Sequence, residues 1–108
     1  MGVFVDQFRN VDDILSNFQI ERVDGEVLFA YYGDPYGYSG LAFVLCRGTD
    51  GGLYEVNGSH CSCMGLEGQW GPEGTSVEAI RHRIEHGTLG DECNGSFAPE
   101  LMEVLNGV

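Results

Sequence analysis

Lysine is absent from this chain of 108 residues, and its seventeen acidic residues face only five arginines. The formal net charge is −12 at pH 7. Such a chain cannot hold a nucleic-acid backbone nonspecifically, because repulsion replaces the counterion release that drives this kind of binding. Anionic membranes and phosphate-rich ligands are disfavoured for the same reason. Two interpretations remain: the acidic surface keeps the protein in solution, or it binds a partner with a basic surface.

Long apolar runs are also missing. No stretch of 18 apolar residues occurs, and the opening residues MGVFVDQFRN lack the basic segment and apolar run of a signal peptide. We therefore expect no membrane association and a cytosolic location in which the four cysteines stay reduced. A hydrophobic share of 43% is typical of a globular chain, and the length predicts a single domain over residues 1–108.

Turn-forming residues divide the middle of the chain into predicted strands. Residues 26–32, 38–47 and 53–58 are rich in branched and aromatic side chains and are bounded by glycine-containing turns. If Asp50 and Gly51 form a two-residue hairpin turn, Leu45 faces Val56 across the strands. Cys46 then points to the less apolar side of the sheet.

Helices are predicted on either side of these strands. Asn10 can cap a helix through Phe18, and Thr75 begins a capping box for a second helix that ends before Gly87. Pro99 can open a third helix. We therefore predict an α+β fold in which an antiparallel sheet of at least three strands is packed on one face by two or three helices.

His60, Cys61 and Cys63 form the densest group of metal-ligating side chains in the sequence. Zinc prefers thiolates and imidazoles, usually supplied as C-x2-C pairs, whereas the spacing here is C-x-C. Cys93 or a distant histidine would have to complete a site, because Cys46 would lie about 20 Å away along a continuous strand. The alternative is small buried thiols at a turn. Zinc is therefore a possible cofactor, and no other cofactor is indicated.

Two further patterns bear on chemistry and lead to different interpretations. Cys61 or Cys63 activated by a nearby histidine would suit thiol catalysis, but no nucleophile motif matches, and we expect a protein that is not an enzyme. His82 and His86 are spaced i, i+4 on the second predicted helix, where such a pair can chelate a metal. The helical wheel places both away from the apolar side, so we predict a solvated face.

Tyrosines and acids between the first two predicted strands indicate a possible interaction surface. Asp34 and Pro35 are surrounded in sequence by Tyr31, Tyr32, Tyr36 and Tyr38, and tyrosine contributes contact area at low entropic cost. The alternative is that the tyrosines only cap the sheet. Residues 60–70 are predicted to form a packed loop, with Trp70 buried beside the second helix and Glu67 near the surface. We take Asp34, Tyr36, Tyr38 and Glu67 as candidate partner-binding residues.

Residues 54–70, YEVNGSHCSCMGLEGQW, followed by P-E-x-T-S-V-E-A-I-R-H-R, resemble a group of small phage and prophage proteins of unassigned function. The resemblance implies that the protein originates from a mobile element and acts in the host cytosol. It assigns no catalytic residue. Small acidic phage proteins often resemble inhibitors of host defence, including anti-CRISPR proteins and DNA mimics. We therefore expect a protein that binds and inhibits a basic, nucleic-acid-handling host protein. The alternative is a small zinc-binding or thiol-dependent protein built around Cys61 and Cys63.

Overall fold

The computed structural model describes residues 2–33, 40–61, 65–92 and 95–108, which form a five-stranded sheet, a two-stranded ribbon and three helices. The elements in chain order are β1 (Val3–Asp6), α1 (Val11–Phe18), β2 (Glu26–Gly33), β3 (Gly40–Arg47), β4 (Leu53–His60), β5 (Glu73–Thr75), α2 (Val77–Glu85), β6 (Asp91–Glu92), β7 (Gly95–Ser96) and α3 (Ala98–Asn106). The strand order of the larger sheet is β1-β2-β3-β4-β5. The predicted α+β fold with at least three strands is confirmed.

The sheet is mixed rather than purely antiparallel. β2, β3, β4 and β5 pair antiparallel, as predicted for the central strands, whereas β1 adds to the edge of β2 in parallel. A parallel pair needs a crossover connection, and α1 provides it between β1 and β2. The sequence prediction missed this edge because β1 has only four residues.

Helices cover both faces of the sheet. The first face carries Tyr32, Val44 and Val56 and packs against α1, and the second face carries Tyr31, Phe43 and Leu45 and packs against α2 and α3. The prediction of helices on one face was therefore wrong. β3 is apolar at successive positions, so both of its faces have to be buried, as in strands that lie between two layers.

The turn between β3 and β4 spans residues 48–52 rather than two residues. The Gly48 amide donates to the Gly52 carbonyl oxygen at 2.8 Å. As a result Leu45 pairs with Glu55, one residue away from the predicted register. A slip of one residue moves every side chain of a strand to the other face, so the predicted facing of β4 was wrong.

Cys46 shows the consequence of this register. It pairs with Tyr54, lies on the first face and is 4% exposed, whereas the prediction placed it on a less apolar side. The first face is as apolar as the second, because α1 covers it with Ile14 and Phe18. Cys46 is therefore part of the core.

The starts of the three helices were predicted with different success. Asn10 caps α1 as predicted, and its side-chain oxygen accepts the Asp13 amide at 3.0 Å. The second helix is capped by Ser76 rather than Thr75, because the Ser76 hydroxyl accepts the Ala79 amide at 3.1 Å. Pro99 lies in the first turn of α3, as predicted.

Residues 65–70 form a loop that packs on the first face. Leu66 is buried, and the Trp70 indole meets Phe18 of α1 edge-on, with ring centroids 5.1 Å apart. The prediction of a packed loop is confirmed for these described residues. The predicted contact of Trp70 with the second helix was wrong, because α2 lies on the opposite face of the sheet, and Trp70 is half-buried rather than fully buried.

Gln69 fixes this loop to the exposed edge of β4. β5 pairs with β4 only as far as Glu55. Beyond that point the Gln69 side chain accepts the Ser59 amide at 2.9 Å and donates to the Ser59 carbonyl oxygen at 2.7 Å. One side-chain amide thus makes the two hydrogen bonds that another strand would make, and it shields an edge that could pair with another chain.

Candidate functional site

The predicted metal ligands are only partly within the described residues. Cys63 and Cys93 lie outside them, and the structure describes His60 and Cys61. His60 ends β4 on the first face, where its Nδ1 lies 2.9 Å from the Tyr32 hydroxyl. Cys61 follows directly and is exposed.

Gly40 explains how His60 and Tyr32 meet although β3 separates their strands. Gly40 pairs with His60, and a Cβ at Gly40 would lie 2.8 Å from His60 Cε1. Because glycine leaves this space open, the imidazole can lie across β3 with its ring centroid 5.3 Å from that of Tyr32. His60 is therefore held in a defined orientation at this end of the sheet.

No group of three His, Cys, Asp or Glu side chains that could hold a metal ion occurs within the described part of the chain. His60 and Cys61 are brought together by sequence adjacency at the end of β4. A zinc site at this point therefore stays a prediction that depends on Cys63 and Cys93.

The four candidate partner-binding residues are only partly within the described residues. Asp34, Tyr36 and Tyr38 lie outside the described residues. Glu67 is exposed, as predicted, and its Oε1 accepts the Gly65 amide at 3.3 Å within the 65–70 loop. The structure thus places one of the four candidate partner-binding residues on the surface.

His82 on α2 and His86, the C-cap residue of this helix, are both exposed, which confirms the predicted solvated face. Their ring centroids are 4.1 Å apart. His86 Nδ1 donates to the His82 carbonyl oxygen at 2.8 Å, so this nitrogen helps to close the end of the helix.

A pocket that sequence reasoning missed lies at the opposite end of β4 from His60. It is partly open, has a volume of about 290 Å³ and is bounded on one side by the turn between β3 and β4. We call it the hairpin pocket; it is lined by Val23, Asp24, Cys46, Tyr54, Trp70 and Pro72 together with turn residues 48–50. Aromatic, aliphatic and acidic side chains therefore meet in one cavity.

Asp50 supplies an ionised carboxylate at the rim of the hairpin pocket. It accepts hydrogen bonds from the Tyr54 hydroxyl at 2.7 Å and from the Gly52 amide at 2.9 Å. These bonds, the Tyr54 bond above all, lower the pKa of Asp50, because they stabilise its charged form. The same contact raises the pKa of Tyr54, so its hydroxyl stays protonated and keeps donating.

Asp24 supplies the second carboxylate of the rim. Its Oδ1 lies 3.2 Å from Nε of Arg22, and both side chains are largely exposed. Exposed ion pairs of this kind contribute between about 0 and 1 kcal/mol, because water screens both charges. Arg22 can therefore leave Asp24 at little energetic cost.

Cys46 lies among the lining residues and is chemically unlike Cys61. Burial raises the pKa of the Cys46 thiol to about 11. A rise of two units above the ordinary value of 9.0 lowers the thiolate fraction at neutral pH by about a hundredfold. Because the thiolate is the reactive form, Cys46 is a packing residue rather than a nucleophile.

We expect iodoacetamide at pH 8 to alkylate Cys61 at least tenfold faster than Cys46 in the native protein, since Cys61 is exposed and Cys46 is buried. Mass spectrometry of peptides from timed samples gives the two rates separately. The same reaction in denaturant is the control, where the two rates should converge. Equal rates in the native protein would contradict the burial of Cys46.

Comparison with protein-family models, with curated proteins and with solved structures found no match to this chain. Within the described residues, no helix has the length and the apolar character needed to cross a membrane.

Proposed function

We propose that this protein is a non-enzymatic, phage-type inhibitor that binds a basic, nucleic-acid-handling host protein in the host cytosol. The observation that carries the proposal is the charge of −12 in a chain without lysine. The contacts of the arginines support it, because most of these few cations already have a carboxylate partner within the chain.

All five arginines make contacts within the protein. Three of them pair with carboxylates, in the pairs Arg9–Asp13, Arg22–Asp24 and Arg83–Glu55. Arg47 donates to the Gly51 carbonyl oxygen at 3.0 Å, and Arg81 donates to Asn106 Oδ1 at 2.7 Å. Three of the five positive charges are thus partly compensated by carboxylates of the same chain.

Most of the carboxylates that the structure describes, in contrast, are exposed. Among the side chains that the structure describes, Glu55 is the buried charged residue. Exposed carboxylates occur on α1, on the segment before β2 and on α2, for example Asp12, Glu21 and Glu78. A partner with a basic surface gains electrostatic steering from such a distribution, and nucleic acid is repelled by it.

The test is capture from a nuclease-treated bacterial lysate on the immobilised protein at low and high salt. We expect enrichment of basic, nucleic-acid-handling proteins at low salt and their loss at high salt, because exposed charges are screened within about 10 Å at 0.1 M salt. Glu21→Gln combined with Glu78→Gln should weaken capture, and Ser16→Ala, an uncharged exposed change, should not. Absence of any basic protein at low salt would refute the proposal.

The alternative function is a small zinc-binding or thiol-dependent protein built around Cys61 and Cys63. It is favoured by one observation: an exposed thiol at Cys61 follows a histidine whose orientation Tyr32 fixes. Metal analysis of protein purified without a histidine tag separates the two proposals. Stoichiometric zinc that is lost in Cys61→Ser and Cys63→Ser variants would favour the alternative.

A further inference from the structure

We infer that the hairpin pocket receives an arginine side chain of the basic partner. This inference rests on the proposed function, and it identifies the part of the protein that recognises the partner. The pocket combines apolar and aromatic walls with carboxylates. An arginine side chain suits this combination, because its aliphatic stem can contact the walls and its guanidinium can pair with a carboxylate.

The size and the walls of the pocket suit a single long side chain. Its volume of about 290 Å³ is at the lower end of the range of about 300–1,000 Å³ for ligand pockets. Val23 and Pro72 offer aliphatic surface to a methylene stem, and Tyr54 and Trp70 offer aromatic surface. Guanidinium groups interact favourably with such rings, more often than ammonium groups do.

The rim of the pocket fits a cation and not an anion. Asp50 is kept ionised by the hydrogen bonds from Tyr54 and Gly52, and Asp24 lines the same pocket. Two carboxylates beside aromatic walls would repel a phosphate or a nucleotide, whereas they attract a guanidinium, which is positively charged and only donates hydrogen bonds.

One carboxylate of the pocket, that of Asp24, already contacts a guanidinium of the protein itself. Nε of Arg22 lies 3.2 Å from Asp24 Oδ1, although both side chains are largely exposed. Because this contact is weak, an arginine that also buries its stem against Val23 and Trp70 would displace Arg22. Arg22 is therefore a competitor for the Asp24 carboxylate until the partner arrives.

The test uses the fluorescence of Trp70, which is the single tryptophan of the chain and lines the pocket. The probe is N-acetyl-arginine amide, and the control is N-acetyl-citrulline amide, which has nearly the same shape without the charge. We expect a saturable change with the arginine probe and an affinity at least tenfold weaker for citrulline. The corresponding lysine amide should bind more weakly than the arginine amide.

Variants of the intact protein locate the binding. Asp24→Asn should weaken arginine binding at least threefold, and Arg22→Gln should tighten it by removing the competitor. Glu85→Gln, which removes one exposed charge on α2, should leave the affinity unchanged. Equal binding of arginine and citrulline, or equal effects of Asp24→Asn and Glu85→Gln, would overturn the inference.

The outcomes also separate this inference from the proposed function. If basic proteins are captured at low salt equally by the native protein and by Asp24→Asn, and the arginine probe does not bind, the pocket inference fails and the proposed function stands. If the probe binds at the pocket but no basic protein is captured, the proposed function fails and the cationic site stands.

Discussion

Phe97→Ala is expected to lower the free energy of unfolding by about 3–5 kcal/mol, the range for deleting a fully buried phenylalanine. Phe97 is 1% exposed and precedes α3. Its ring stacks on Tyr31 at 4.5 Å between centroids and on Phe43 at 5.6 Å, and it contacts Phe29 at 5.7 Å. One side chain therefore joins α3 to β2 and β3.

Urea unfolding followed by circular dichroism measures this loss, with the midpoint and the slope fitted for each variant. Phe4→Ala is the matched control, because Phe4 is only partly buried at the edge of the core on the first face. We expect the loss for Phe4→Ala to be less than half of that for Phe97→Ala. Equal losses would show that Phe97 is not central to the core.

Arg83→Met is expected to cost about 3 kcal/mol, near the lower end for breaking a buried ion pair, since Arg83 keeps partial access to water. Glu55 is 5% exposed; Arg83 Nη1 donates to its Oε2 at 2.9 Å and lies 2.8 Å from its Oε1. Asn57 Nδ2 also donates to Glu55 Oε1 at 2.8 Å. Without Arg83 a buried carboxylate loses its counter-charge.

Glu55→Leu combined with Arg83→Met is the control for this prediction. Removing both charges leaves no unpaired carboxylate, so the double variant should be more stable than Arg83→Met alone. Unfolding in urea at pH 7 gives both values. A double variant that is less stable than Arg83→Met would show that the pair does not act through charge.

The same network predicts how stability depends on pH. Burial alone would raise the pKa of Glu55, but hydrogen bonds from Asn57, Thr75 and Arg83, with the Arg83 charge, outweigh it and lower the pKa below the ordinary value of 4.5. The carboxylate thus contributes stability that is fully present above pH 4.5 and is lost as the pH falls through the lower folded value. Glu55→Gln should therefore reduce the loss of stability at acid pH. An unchanged loss of stability would contradict the assignment to Glu55.

Local signals in the sequence predicted much of the secondary structure. Asn10 at the start of α1 and Pro99 in α3 act within one helical turn, so neighbouring residues suffice to recognise them. The cap of α2 depends on a distant residue. Thr75 has the right spacing to Glu78, but its hydroxyl bonds to Glu55 of β4, and Ser76 becomes the cap.

The strand register, and with it the side of the sheet on which each side chain lies, was predicted less well. The pattern around Asp50 and Gly51 fits a two-residue turn, whereas the backbone bonds close a longer one and shift β4 by one residue. The hairpin pocket could not be predicted for the same reason, because Cys46 was assigned to the less apolar side of the sheet and Trp70 to the second helix. Only the observed register and the position of α1 bring them together.

The central claim is that an acidic surface recruits a basic partner, and the association rate measures it most directly. For the protein most enriched in the lysate capture, we expect a rate constant above about 10⁷ M⁻¹s⁻¹ at low salt that falls toward about 10⁵–10⁶ M⁻¹s⁻¹ at high salt. The dissociation rate should change little, because steering acts before contact. An association rate that does not depend on salt would contradict the account.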